Sequence, residues 1–138
     1  MARANNLGFP RIGERREMKR ALESYWAGRI GEARLLEVAA ELRRRNWQLQ
    51  KEAGIDLIPS NDFSLYDHVL DMAALVGAIP ERYGWTGGPV PLSVYFAMAR
   101  GRDGAGGGVP AMEMTKWFDT NYHYIVPELS HDQAFQLT

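Results

Sequence analysis

Met18, Ala21, Leu22, Tyr25 and Trp26 recur at i, i+3, i+4, i+7 and i+8 inside "ERREMKRALESYWAG", and Gly28 follows. That spacing predicts one apolar stripe of an amphipathic helix, stopped by the glycine. A second helix is expected from Glu32 to Glu52, with Leu35, Val38, Leu42 and Leu49 on one face. Its "RRR" run at 43–45 turns toward water, and Gly54 is its C-terminal stop. "IDLIP" (Ile55–Pro59) then reads as a short buried strand, with "SNDFS" as the polar turn at its end.

The remaining segments fit the same alternation. Gly8–Ile12 ("GFPRI") is expected to form a first strand, which Pro10 confines to an edge or a strand end. A third helix is predicted over Tyr66–Val76 and a short one over Leu92–Arg100, after a loop containing Gly87, Gly88, Pro89 and Pro91. "GRDGAGGGVP" reads as a flexible glycine-rich connection; no Gly-Lys-Ser/Thr follows it, so it is no phosphate loop. A third strand is expected over Met114–Phe118. Strands separated by helical stretches predict an α/β fold with a parallel sheet and crossover helices. At 138 residues the chain is sized for one domain. It is too short for a complete eight-fold β/α barrel, which takes roughly 200–250 residues.

Composition narrows the partners. Sixteen Lys+Arg against 17 Asp+Glu give a formal net charge of −1, so no global field invites nucleic acid or an anionic membrane. The chain has no cysteine, which excludes a disulfide framework, a thiol nucleophile and a thiolate metal site. No apolar run reaches the roughly 18 residues of a membrane span, and the N-terminal "MARANNLGFPRIG" has no signal-peptide core. A soluble, cytoplasmic protein is expected.

In parallel α/β architectures ligand groups gather just past the carboxyl ends of strands. "PRIGERREMKR", "SNDF" and "DTNYHY" occupy those positions here, which brings Asp119, Asn121 and His123 to the rim. Arg15, Arg16, Lys19 and Arg20 put four cations within six residues, and Arg16 and Lys19 share a helix face. They either grip a carboxylate- or phosphate-rich ligand or form a solvated face neutralised by Glu14, Glu17 and Glu23. Lys116, between Thr115 and Trp117 in a predicted strand, calls for an anion: an internal carboxylate or a ligand. His123 is expected to pair with Asp119 at i−4, and three scattered histidines make no metal site.

"LGFPRIGERREMKRALESYWAG", "QKEAGIDLIPSNDFSLYDHVL" and "EMTKWFDTNYHYIVPEL" resemble, in order and interval, the start of the cobalamin-independent methionine synthase family, the 5-methyltetrahydropteroyltriglutamate–homocysteine methyltransferases. The likeness runs from about Leu7 to Leu129. It implies a partial (β/α)8 TIM-type barrel, the first strands and helices of the N-terminal of two barrels. It also implies binding of the folate's glutamate tail by Arg16, Glu17, Met18, Lys19 and Lys116, with Arg15, Asp119, Asn121 and His123 as rim contacts.

The family uses no cobalamin; its zinc, held by His, Cys, Glu and Cys of the C-terminal barrel, binds the homocysteine thiolate that takes the methyl group from N5 of the folate. This chain is expected to bind no cofactor itself and to hold no catalytic residue. The expected partners are 5-methyltetrahydropteroyltriglutamate and the remainder of the enzyme, with self-association through exposed barrel edges. After Leu129 the chain ends far short of a barrel's remaining strands, as a piece of a longer enzyme or as an independent short homologue. The contrasting reading is a non-catalytic half-barrel module that binds a protein partner or another anionic ligand.

Overall fold

The computed structural model describes residues 2–104, 107–135 and 137. Its architecture is mixed α/β: four α-helices, a 3-10 turn and a two-stranded sheet among the described residues. The chain divides into two compact units, one ending at Leu65 and one beginning at Tyr66.

The first unit is built on α1 (Glu17–Trp26) packed against α2 (Glu32–Glu52). In α1 the predicted stripe buries Met18, Ala21 and Leu22, while Tyr25 and Trp26 are half-buried. In α2 the buried face runs through Leu35, Ala39, Leu42, Asn46 and Gln50. Leu49, expected on that face, is 42% exposed instead. The polar pair takes the buried positions because both side chains have work there. Gln50 Oε1 accepts from Asn6 Nδ2 at 2.8 Å and Asn46 Nδ2 donates to the Pro10 carbonyl at 3.3 Å, so both bind the N-terminal segment. Both helices end as predicted. Gly28 and Gly54 adopt φ of 68° and 82°, and the amides of Arg29 and Ile55 reach back to Ser24 O and Gln50 O, closing the carbonyl end of each helix.

The predicted strand over Gly8–Ile12 does not form, and the parallel sheet reduces to one bridge between Asn5 and Leu57. Its donors are spent on side chains: Gly8 N–H on Asn6 Oδ1 (3.1 Å) and Phe9 N–H on Asp62 Oδ2 (2.8 Å). Pro10 has no N–H to offer a ladder. Ile55–Pro59 likewise contributes only the Leu57 bridge, with the amides of Asp56 and Leu57 sharing the Ala4 carbonyl.

The second unit comprises α3 (His68–Leu75), a 3-10 turn (Glu81–Tyr83), α4 (Leu92–Arg100), β1 (Met114–Lys116) and β2 (His123–Ile125). Helix α4 falls on its predicted bounds and buries six successive residues, Val94 to Ala99, so it is surrounded by the core rather than laid upon it. Tyr83, Leu70, Met112 and Ile125 pack the rest of that core. Helix α3 begins two residues later than predicted, because Asp67 is its N-cap. Arg102 and Val109 exchange both backbone hydrogen bonds at 2.8 Å, which closes the flanks of the expected flexible connection; its residues 105 and 106 lie outside the described residues.

The third predicted strand is real but shorter, and its partner was not foreseen. β1 pairs antiparallel with β2 in the register Met114 to Ile125, Thr115 to Tyr124 and Lys116 to His123. "DTNYHY", expected as the rim of a parallel strand, is the turn and the return strand of a hairpin. Phe118, at φ 50°, leaves the extended region and begins the turn.

Candidate functional site

The first candidate segment is the turn that leads into α1. Arg16 N–H donates to Gly13 O at 3.1 Å, and Arg16 itself takes the left-handed conformation (φ 60°, ψ 38°) at the helix N-cap. Gly13 has φ 84°, and a Cβ there would stand 2.2 Å from Glu17 Oε2 and 3.1 Å from Leu42 Cδ2. The turn is therefore closed around a carboxylate. Glu17 accepts the Arg15 N–H at 2.9 Å and lies 3.7 Å from the Arg45 guanidinium, which also binds Glu14. Its own backbone N–H, then that of Arg15 and the nearby arginines, hold the Glu17 carboxyl below its usual range.

This geometry sorts the predicted residues. The side chains of Arg15, Arg16 and Lys19 are exposed. Among the described residues Lys19 pairs with Glu23, at 3.8 Å across one helical turn, a pairing of an exposed kind that contributes little. Met18 is fully buried and its N–H donates to Ile12 O at 3.1 Å, so it pins the segment to the core. Beside this segment, α1 and α2 border a groove of about 440 Å³ lined by Arg20, Arg34, Arg45, Glu17 and Glu41 over an apolar floor that includes Ala21, Val38 and Leu42.

The second segment is the β1–β2 hairpin of the other unit. Lys116 is exposed, and no carboxylate pairs with it among the described residues. Of the two sequence readings, the internal ion pair is absent there. Lys116 faces His123 across the ladder in a pair without mutual hydrogen bonds, where side chains approach most closely. The tip carries Trp117, 51% exposed, and Phe118, 79% exposed, their rings edge to face at 5.1 Å. Thr120 stabilises the turn, donating from Oγ1 to Trp117 O at 2.6 Å and accepting from Tyr122 N–H at 3.1 Å. Asp119 and Asn121 are exposed at the tip. The expected Asp119–His123 pair is not formed; His123 Nδ1 lies 3.2 Å from Asn121 O, because the hairpin turn separates the two side chains that a helix would have stacked.

Sequence reasoning missed Asp67. This carboxylate is 3% exposed and accepts from Leu70 N–H, Ile125 N–H and the Tyr122 hydroxyl, at 3.0, 3.1 and 2.6 Å. The signal was available: an aspartate directly before the apolar run "HVLDMAAL" is a favoured N-cap, but starting the helix at Tyr66 placed it inside.

Among the described residues no three His, Cys, Asp or Glu side chains converge to hold a metal, and no helix is long and apolar enough to cross a membrane.

Comparison with known proteins bears on the same segments. The model of the family described as "Cobalamin-independent synthase, N-terminal domain" matches residues 3–138. The 5-methyltetrahydropteroyltriglutamate–homocysteine methyltransferase of Chelativorans sp. is 64% identical over 140 residues, covering 95% of this chain and 18% of that protein. Those of Salinibacter ruber and Xylella fastidiosa are 58% and 61% identical over 143 and 137 residues, covering 100% and 99% of this chain and 19% and 18% of theirs. The chain thus spans about a fifth of the length of the relatives it matches. Matched along nearly its whole length, it belongs to the cobalamin-independent methionine synthase family, and the model it matches is that of the family's N-terminal domain.

Proposed function

We propose that the chain is the first part of the N-terminal barrel of a methyltransferase of methionine biosynthesis, and that it binds the glutamate tail of 5-methyltetrahydropteroyltriglutamate. The observation that carries this reading is the exposure of cations, each within its own unit, that make no ion pair closer than 3.8 Å among the described residues: Arg15, Arg16 and Lys19 beside the α1 turn, and Lys116 on the hairpin. A triglutamate tail is a string of carboxylates and is matched by several closely spaced cations.

Each segment is assigned a part from its own unit. Arg16 and Lys19 supply charge, Glu17 closes the turn that presents them, and Met18 anchors it. Lys116 supplies a further cation, with Asp119, Asn121 and His123 as polar neighbours on the hairpin. In the reaction of the longer enzyme, carried out in the cytoplasm, this part binds and orients the methyl donor. Methyl transfer to homocysteine, and the zinc that lowers the pKa of its thiol, belong to the C-terminal barrel. Exposed apolar side chains such as Leu57, Met72 and Leu75 suit contact with the remainder of the enzyme.

Calorimetric titration with 5-methyltetrahydrofolate carrying one or three glutamates tests the reading. Tighter binding of the triglutamate, weakened by Lys19→Ala and by Lys116→Ala, is the expected result. Its affinity should also fall between about 0.1 M and 1 M salt, as the screening length shortens from about 10 to about 3 Å. Equal affinity for the two tail lengths in a folded chain would refute the assignment.

A further inference from the structure

We propose that Asp67 is the positioning residue of the Lys116 hairpin, with the Tyr122 hydroxyl as its latch; the ligand part of this proposal rests on the reading of Lys116 as a tail contact. A helix N-cap needs one acceptor for one early N–H. Asp67 Oδ2 meets that need at Leu70 N–H, yet the same oxygen takes the N–H of Ile125 and Oδ1 takes the hydroxyl of Tyr122, partners 58 and 55 residues further on.

The hairpin has a use for both bonds. Trp117 N–H to Tyr122 O and Val126 N–H to Glu113 O, each 2.8 Å, mark the hydrogen-bonded pairs of the ladder. Ile125 lies between such pairs, so its N–H points out of the ladder, and Asp67 satisfies it. At the other end Phe118 holds a left-handed conformation unfavourable for an aromatic residue, which persists only where surrounding contacts fix it. The Thr120 bonds and the Tyr122 latch are those contacts. Lys116 has no ion pair of its own among the described residues, so its direction is inherited from the two strands that carry it. Asp67 ties those strands to the first turn of α3.

The test measures residue-resolved amide exchange in the full chain, with tail affinity beside it, for Tyr122→Phe and Asp67→Asn. Tyr122→Phe deletes the hydroxyl's hydrogen bond to Asp67 Oδ1 and leaves the cap. It is expected to speed exchange at Trp117 and Val126 about fivefold, the factor that matches loss of about 1 kcal/mol, while Gly101, bonded to Ala97 O at the end of α4, keeps its rate. Triglutamate affinity should fall by a similar factor and monoglutamate affinity should stay. Asp67→Asn keeps an oxygen for the two N–H groups and offers its amide to the Tyr122 oxygen, so hairpin exchange should remain near wild type.

Unchanged exchange at Trp117 and Val126 in Tyr122→Phe would overturn the proposal. Acceleration spread equally over Gly101 and the hairpin would overturn it too, as general destabilisation. If the wild type does not favour the triglutamate, the ligand reading falls by itself, and the exchange rates still decide whether Asp67 positions the hairpin.

Discussion

Replacing Gly13 by alanine is expected to damage the turn before α1 by two separable effects. The first is conformational: an L residue at φ 84° carries a left-handed penalty of about 1–2 kcal/mol. The second is steric. The new Cβ would lie 3.1 Å from Leu42 Cδ2, a buried side chain with little room to retreat, which adds about 1 kcal/mol of overpacking. It would also stand 2.2 Å from Glu17 Oε2, the free end of a flexible side chain, which must swing out and give up the Arg15 N–H. Together the variant should lose about 2–3 kcal/mol in urea unfolding.

Gly28→Ala is the control, because Gly28 has φ 68° and nothing within 4 Å of the added Cβ, leaving only the conformational penalty. In a Glu17→Ala background the cost of Gly13→Ala should fall only by the share due to displacing Glu17 from the Arg15 N–H, and should stay above the Gly28→Ala value because the Leu42 contact remains. If Gly13→Ala costs no more than Gly28→Ala in the wild-type background, the steric argument is wrong.

Two further outcomes follow from the second unit. Ile125→Ala, at a fully buried position, should lower stability by about 3 kcal/mol in denaturant titration; a loss under about 1 kcal/mol would mean the hairpin does not contribute to the core. Glu128 is held below its ordinary value of 4.5 first by hydrogen bonds from Arg82, against a smaller opposing effect of burial. A depressed carboxylate contributes stability above its unfolded pKa that is lost as pH falls through its folded value. Glu128→Gln should therefore flatten the acid side of the stability profile below about pH 4.5, and a profile parallel to wild type there would dissociate the pair from acid unfolding.

The local signals in the sequence were strong where one residue carries the physics. The stripe from Met18 to Leu22, the glycine stops at 28 and 54 and the bounds of α4 were legible because helix periodicity and positive φ are encoded within a few neighbours. The family motifs were equally legible, and they set the candidate residues Arg16, Lys19 and Lys116. Only the tertiary structure decided what the short apolar runs became. Gly8–Ile12 and Ile55–Pro59 look like strands, yet a strand exists only when a neighbouring backbone takes its hydrogen bonds in a ladder; here the Asn6 and Asp62 side chains take the amides of Gly8 and Phe9, while those of Ile55, Asp56 and Leu57 go to Gln50 O and the single Ala4 carbonyl. Leu49 loses its core position to Asn46 and Gln50 because distant backbone and Asn6 give those polar groups partners. The polar run after Lys116 becomes a return strand for the same reason: Asp67, far back in the chain, supplies the acceptor that its outward-facing amide needs. Periodicity records which residues tend to be buried, whereas hydrogen-bond partners brought from afar determine which of them are, and in what ladder.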